Sequence, residues 1–132
     1  MDLSAIMKKY ASETGAQYTE YDQAQSIIIV PVSGGRFQTV MGLITENALY
    51  KRRLITLTSK VTAVKPDIDY KMLLEQTTFF NYCRFAIKDN YLQVEAIASL
   101  VGISEETVRE MVQEVANLAD QFEMKLTGVD IY

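Results

Sequence analysis

The chain contains no histidine. That removes the commonest general base, every serine–histidine arrangement and the commonest zinc ligand. It has one cysteine, Cys83, so no disulfide can form within the chain, which suits a reducing compartment. Long apolar runs are also lacking. The longest, Ile27 to Val32, is short and interrupted by Pro31, and cannot cross a bilayer. No basic stretch followed by an apolar core opens the chain, so no signal peptide is expected and the expected location is cytoplasmic. With a net charge of −4, most of the surface repels phosphate backbones, so nucleic acid is not expected as a partner, and without a spanning apolar run no membrane is expected either.

What is present reads as a single domain over residues 1–132. A chain of this length buries roughly 65–70% of the surface its unfolded form exposes and needs no metal or disulfide to hold it. Hydrophobic residues make up 48% and charged residues 23%, the proportions of a globular domain. No repeat, low-complexity tract or linker divides it.

Residues 3–14 have the period of an amphipathic helix, with Leu3, Ile6, Met7, Tyr10 and Ala11 on one face, Asp2 as N-cap and Gly15 as the stop. Strand-like segments follow at 17–22, 26–33 and 36–44. Gly34-Gly35 between the last two suggests a two-residue hairpin turn. That turn pairs Val32 with Phe37, Val30 with Thr39 and Ile28 with Met41 on a core face. Pro31 with Gln38, Ile29 with Val40 and Ile27 with Gly42 then occupy the other face. Residues 51–64 are a further β-rich run, and 69–80 suit a short helix with Leu73, Leu74, Thr77 and Phe80 on one side.

Asp89-Asn90 predicts a second hairpin. It pairs Ile87 with Leu92, Phe85 with Val94 and Cys83 with Ala96, and sets Arg84 opposite Glu95 on the reverse face. Ser104 caps a long helix whose stripe is Val108, Met111, Val112, Val115, Ala119, Phe122 and Leu126, ended by Gly128. The fold class is therefore α+β, in the order α-β-β-β-β-α-β-β-α, an antiparallel sheet with helices packed on one face.

Chemistry is sparse. Cys83 has no histidine partner and falls on an apolar strand face, the setting of an inert thiol. Gly34-Gly35-Arg36 is too short for a phosphate loop and lies between strands. Asp67 and Asp69 have the spacing of the first calcium-loop ligands, but Lys71 and Met72 stand where that loop needs an acid or amide and a glycine. No two carboxylates are placed for acid–base work. No cofactor, metal or enzymatic activity is expected. Met7, Met41 and Met111 fall on core positions. Lys51-Arg52-Arg53, the one basic cluster, has two readings: contact with phosphate or an acidic partner, or charge protecting a sheet edge.

Leu73-Leu74-Glu75-Gln76-Thr77, Tyr82-Cys83-Arg84-Phe85-Ala86-Ile87, Leu92-Gln93-Val94-Glu95-Ala96 and the helical Ala116-Asn117-Leu118-Ala119-Asp120 resemble the C-terminal half of YbjN-like proteins. These share the type III secretion chaperone-like fold with the Tir chaperone (CesT-like) family. The likeness implies a homodimer that holds an extended client protein segment, or a regulator answering a small ligand. An apolar second sheet face fits the first reading, because a face turned away from helices is polar in a monomer. Its candidate residues are Ile27, Ile29, Val40 and Ile44.

Overall fold

The computed structural model describes residues 3–20 and 25–128. Helix α1 (Leu3–Thr14) leads into strands β1 (Gln17–Glu20), β2 (Gln25–Pro31), β3 (Phe37–Asn47) and β4 (Arg52–Ala63). Helix α2 (Tyr70–Gln76) continues as a 3-10 turn over Thr77–Phe79. Strands β5 (Cys83–Lys88) and β6 (Tyr91–Ser99) and helix α3 (Glu105–Thr127) complete the order. The six strands form one antiparallel sheet in the order β1-β2-β3-β4-β6-β5. The expected α+β order is the observed one. The Asp2 cap lies outside the described residues, as do positions 21 and 22 of the first expected strand.

Helices α1 and α3 lie on the same face of the sheet. Helix α1 covers β1 and β2, and α3 crosses β3, β4 and β6. Helix α1 buries the residues its period selects: Leu3, Ile6, Met7, Tyr10 and Ala11. Gly15, with φ 75°, turns the chain out of the helix. Helix α3 buries Val108, Met111, Val112, Val115, Ala119 and Phe122. Fully burying each of these larger side chains contributes about 1.5–3 kcal/mol. Ser104 accepts from Thr107 N at 3.0 Å at its start, and Gly128, φ 75°, ends it.

The β5–β6 hairpin has the register its sequence implies: Ile87 opposite Leu92, Phe85 opposite Val94, Cys83 opposite Ala96 and Arg84 opposite Glu95. Asp89 and Asn90 both have positive φ, 52° and 63°, as a type I′ turn requires. Phe85 meets Phe122 and Phe80 edge-to-face, at centroid distances of 4.9 and 5.5 Å, and this ties the hairpin to α3 and to the turn after α2.

The β2–β3 hairpin departs from expectation by one residue. Its loop is Ser33–Gly35, closed by Val32 N–H donating to the Arg36 carbonyl at 2.9 Å. Both glycines have φ 73°, so the left-handed signal was sound, but the loop holds three residues instead of two. The pairs become Pro31 with Phe37, Val30 with Gln38, Ile29 with Thr39, Ile28 with Val40 and Ile27 with Met41. Strand β2 keeps its expected faces, with Ile28 and Val30 fully buried. Strand β3 is turned over.

Three residues explain the outcome, Arg36 just before the turned strand and Gln38 and Gly42 within it. Arg36 now points toward α3, where its Nε and Nη2 donate to the two oxygens of buried Asp120, each at 2.8 Å. Gln38 is fully buried, and its amide donates to Ser59 Oγ at 2.9 Å and to the Lys60 carbonyl at 3.0 Å. Gly42 lies beneath α1, where an added Cβ would sit 3.4 Å from Leu3 Cδ2 and 3.5 Å from Met7 Cε. The alternative register would direct Arg36 away from Asp120 and put Leu43 in the place of Gly42, under Leu3 and Met7.

Two further expectations are corrected. Met41 is half-buried on the face away from the helices, not in the core. Leu74 is 66% exposed; of the expected face, Leu73 is buried in the core and Phe80 packs against it, beyond the 3-10 turn at Thr77–Phe79.

Replacing Asp120 with Ala removes both hydrogen bonds between its carboxylate and the Arg36 guanidinium, and is expected to lower unfolding free energy by about 3 kcal/mol in urea titration. Combining Arg36→Met with Asp120→Leu, which removes both charges, should restore most of the loss.

Candidate functional site

Among the described residues, no element covers the face of the sheet opposite the helices. Register places its side chains in rows. One runs Ile27, Met41, Thr58, Glu95, Arg84, and the next Gln25, Leu43, Thr56, Ile97. A third holds Ile29 beside Thr39. Ile27, Ile29, Met41 and Leu43 are half-buried by their neighbours within the sheet, and Ile97 is 39% exposed. Threonines separate the apolar side chains. Arg84 Nε donates to Glu95 Oε1 at 2.8 Å toward the β5 margin, and on the central strand β4 Lys60 Nζ stands 4.4 Å from the centroid of the Tyr91 ring. A groove of about 280 Å³ runs across the middle, lined by Ile27, Thr39, Met41, Thr58, Lys60 and Gln93.

The four residues selected from the sequence therefore divide. Ile27 and Ile29 lie on the open face as expected. Val40 is fully buried opposite Ile28, and Ile44 packs against the core opposite Ile55. The one-residue change of register moves both to the helix side. Met41 and Leu43 take their places. Ile97 is the apolar residue the sequence reading passed over. Its signal was available, since it falls in phase with Glu95 and out of phase with Leu92, Val94 and Ala96.

A second apolar surface flanks the edge strand β5. Tyr70, Leu73 and Leu74 of α2 face Phe85 and Ile87 across a groove of about 250 Å³. Leu74 and Ile87 are 66% and 57% exposed. Strand β5 pairs only with β6, so one of its edges has no strand partner among the described residues.

Cys83 begins that strand and is buried. Burial pushes its thiol well above the ordinary value, and the adjacent Glu114 carboxylate, as hydrogen-bond acceptor and as negative charge, raises it further. The thiol stays protonated at neutral pH, a poor state for a nucleophile. Glu114 itself accepts from the backbone N–H groups of Asn81 at 3.2 Å, Tyr82 at 2.8 Å and Cys83 at 3.0 Å. Its partial burial works to raise its pKa. The hydrogen bonds from Tyr82, Cys83 and Asn81 outweigh that and hold the carboxyl below its usual range. One turn earlier, Glu110 accepts from the Tyr82 hydroxyl at 2.5 Å and raises the pKa of that phenol. These acids serve to pin the β5 entry to α3. Among the described residues, no three histidine, cysteine or acidic side chains gather as a metal site would require.

No protein-family model matches the chain, and no curated protein sequence matches it.

Because the folded-state pKa of Glu114 is depressed, its contribution to stability is present above the unfolded value, near 4.5, and is lost as pH falls through the folded one. Replacing Glu114 with Gln should cost about 1–2 kcal/mol at neutral pH and flatten the acid limb of a stability-against-pH curve measured by urea unfolding.

Proposed function

We propose that the chain is a non-enzymatic protein-binding module, a chaperone-like or adaptor homodimer of the cytoplasm that holds a segment of a client protein. The observation that carries the reading is the open sheet face with Ile27, Ile29, Met41, Leu43 and Ile97 at its centre. An uncovered antiparallel face is ordinarily polar, and apolar side chains gathered on one are the mark of a docking surface.

A second copy of the chain is the occupant that suits this face. Six strands about 4.8 Å apart, with roughly seven residues each at ~3.4 Å, make a face of roughly 600 Å². Two such faces together bury roughly 1,200 Å², the lower bound for a specific stable interface. Lys60 lines the central groove, and its ammonium is drawn aside over the Tyr91 ring, so a face meeting its own copy presents mostly apolar and threonine side chains there. The groove between α2 and β5 is the surface that suits an extended client segment, which would add to the β5 edge by main-chain hydrogen bonds and set alternate side chains against Leu74 and Ile87. The resemblance of residues 70–127 to YbjN-like and type III secretion chaperone-like proteins agrees with both surfaces.

Sedimentation equilibrium tests the first surface. Ile29→Lys and Met41→Glu should each shift the chain from dimer toward monomer by at least tenfold in dissociation constant while leaving the urea midpoint close to that of the wild type. Ile28→Lys, placed in the core, should unfold the domain. A wild-type chain that sediments as a monomer at all concentrations, or Ile29→Lys dimers of unchanged affinity, would overturn the assignment.

A further inference from the structure

At the end of the sheet where β3 turns into β4, the chain presents Leu49 and Tyr50 at 79% and 70% exposure. The turn is held in shape. Asn47 Oδ1 accepts from Leu49 N at 2.9 Å and from Tyr50 N at 3.1 Å, and Lys51 takes a φ of 54° to bring the chain back. The two apolar side chains are thus built into an ordered tip.

A second turn lies beside it. Leu100 N donates to the Arg53 carbonyl at 3.0 Å, and Ser99 Oγ accepts from Val101 N at 3.2 Å. Val101, at 80%, is the most exposed of the large hydrophobic residues. Three strongly exposed apolar side chains therefore share one end of the molecule. Immediately behind Tyr50 come Lys51, Arg52 and Arg53, all exposed, and none of them forms an ion pair with a described carboxylate. In a chain of net charge −4 this turn carries three cations against one acid, Glu46, which stands opposite Arg53 in the register.

We propose that this tip docks on an anionic lipid surface, with Leu49, Tyr50 and Val101 entering the boundary between headgroups and acyl chains and Lys51, Arg52 and Arg53 meeting the lipid phosphates. Exposed apolar side chains with three cations directly behind them match an anionic bilayer, which takes up such side chains without a preformed pocket. The order of the residues is that of an interfacial anchor, apolar and tyrosine side chains outermost and cations one step back, where they lie level with the headgroups. Lying against a bilayer makes no demand for a spanning segment, and no helix among the described residues is long and apolar enough to cross one. The tip is at an end of the sheet, apart from the centre of the open face, so this inference and the dimer reading stand or fall separately.

The test uses the full chain and vesicles of phosphatidylcholine with or without phosphatidylserine. The wild type should float with the anionic vesicles, release at high salt and bind phosphatidylcholine alone weakly. Neutralising Lys51, Arg52 and Arg53 to Gln should weaken binding roughly a hundredfold. Replacing Leu49 and Tyr50 with Ser should weaken it roughly tenfold or more. The chain has no tryptophan, so Leu49→Trp adds a single reporter whose emission should shift to the blue on anionic vesicles. That readout also decides the matter should a multiple variant fail to fold. No flotation, or an emission unmoved by anionic vesicles, overturns the proposal. So does binding that soluble polyglutamate abolishes and that the Leu49 and Tyr50 replacements leave intact, since the tip would then be a contact for an acidic polypeptide.

Discussion

The bidentate pair between Arg36 and Asp120 decides which face of β3 meets the helices. Asp120 is buried on α3, and a buried carboxylate without a partner costs several kcal/mol. Only the three-residue loop at Ser33–Gly35 aims the Arg36 side chain at it. Everything downstream in the sheet inherits that choice, because side chains alternate along a strand and a change of one residue exchanges the two faces. Gln38 enters the core with Ser59 as its partner. Gly42 falls under α1, and Met41 with Leu43 turns outward.

The same constraint creates the open face. With Val40 and Ile44 on the helix side, Ile27 and Ile29 from β2 and Met41 and Leu43 from β3 face outward, with Phe37 at the hairpin end of β3 and Ile97 adding to the patch from β6. The patch is therefore the complement of the core, set by a polar interaction on the far side of the sheet. At the other margin, the Glu114 carboxylate gathers three backbone N–H groups where the chain enters β5 and holds the edge strand in place. The groove beside α2 depends on that anchoring.

These features divide the surface into regions of different chemistry. The sheet face is apolar and nearly uncharged at its centre. The β5 margin combines a strand edge with an aliphatic groove. The β3–β4 tip is apolar and cationic. None of the three needs a nucleophile or a base, and each is supported by backbone geometry: register for the face, the Glu114 anchor for the margin and the Asn47 turn for the tip.

Much of the fold was legible in the sequence. Wherever local signals agreed, the elements followed. Helices α1 and α3 have unbroken apolar stripes and capping residues at their ends, and the β5–β6 hairpin has turn residues, alternation and an opposite-charge pair that all select one register. The chain by itself determined the order of elements, the antiparallel sheet and the membership of Ile27 and Ile29 on its second face. It could not determine the faces of β3. Gly34-Gly35 admits loops of two or three residues with the same left-handed backbone, and apolar residues line both phases of the strand. Only the tertiary structure decided between them, because the partners that distinguish the two registers, Asp120 for Arg36, Ser59 for Gln38 and α1 for Gly42, are distant in sequence and meet only when the sheet and helices are assembled.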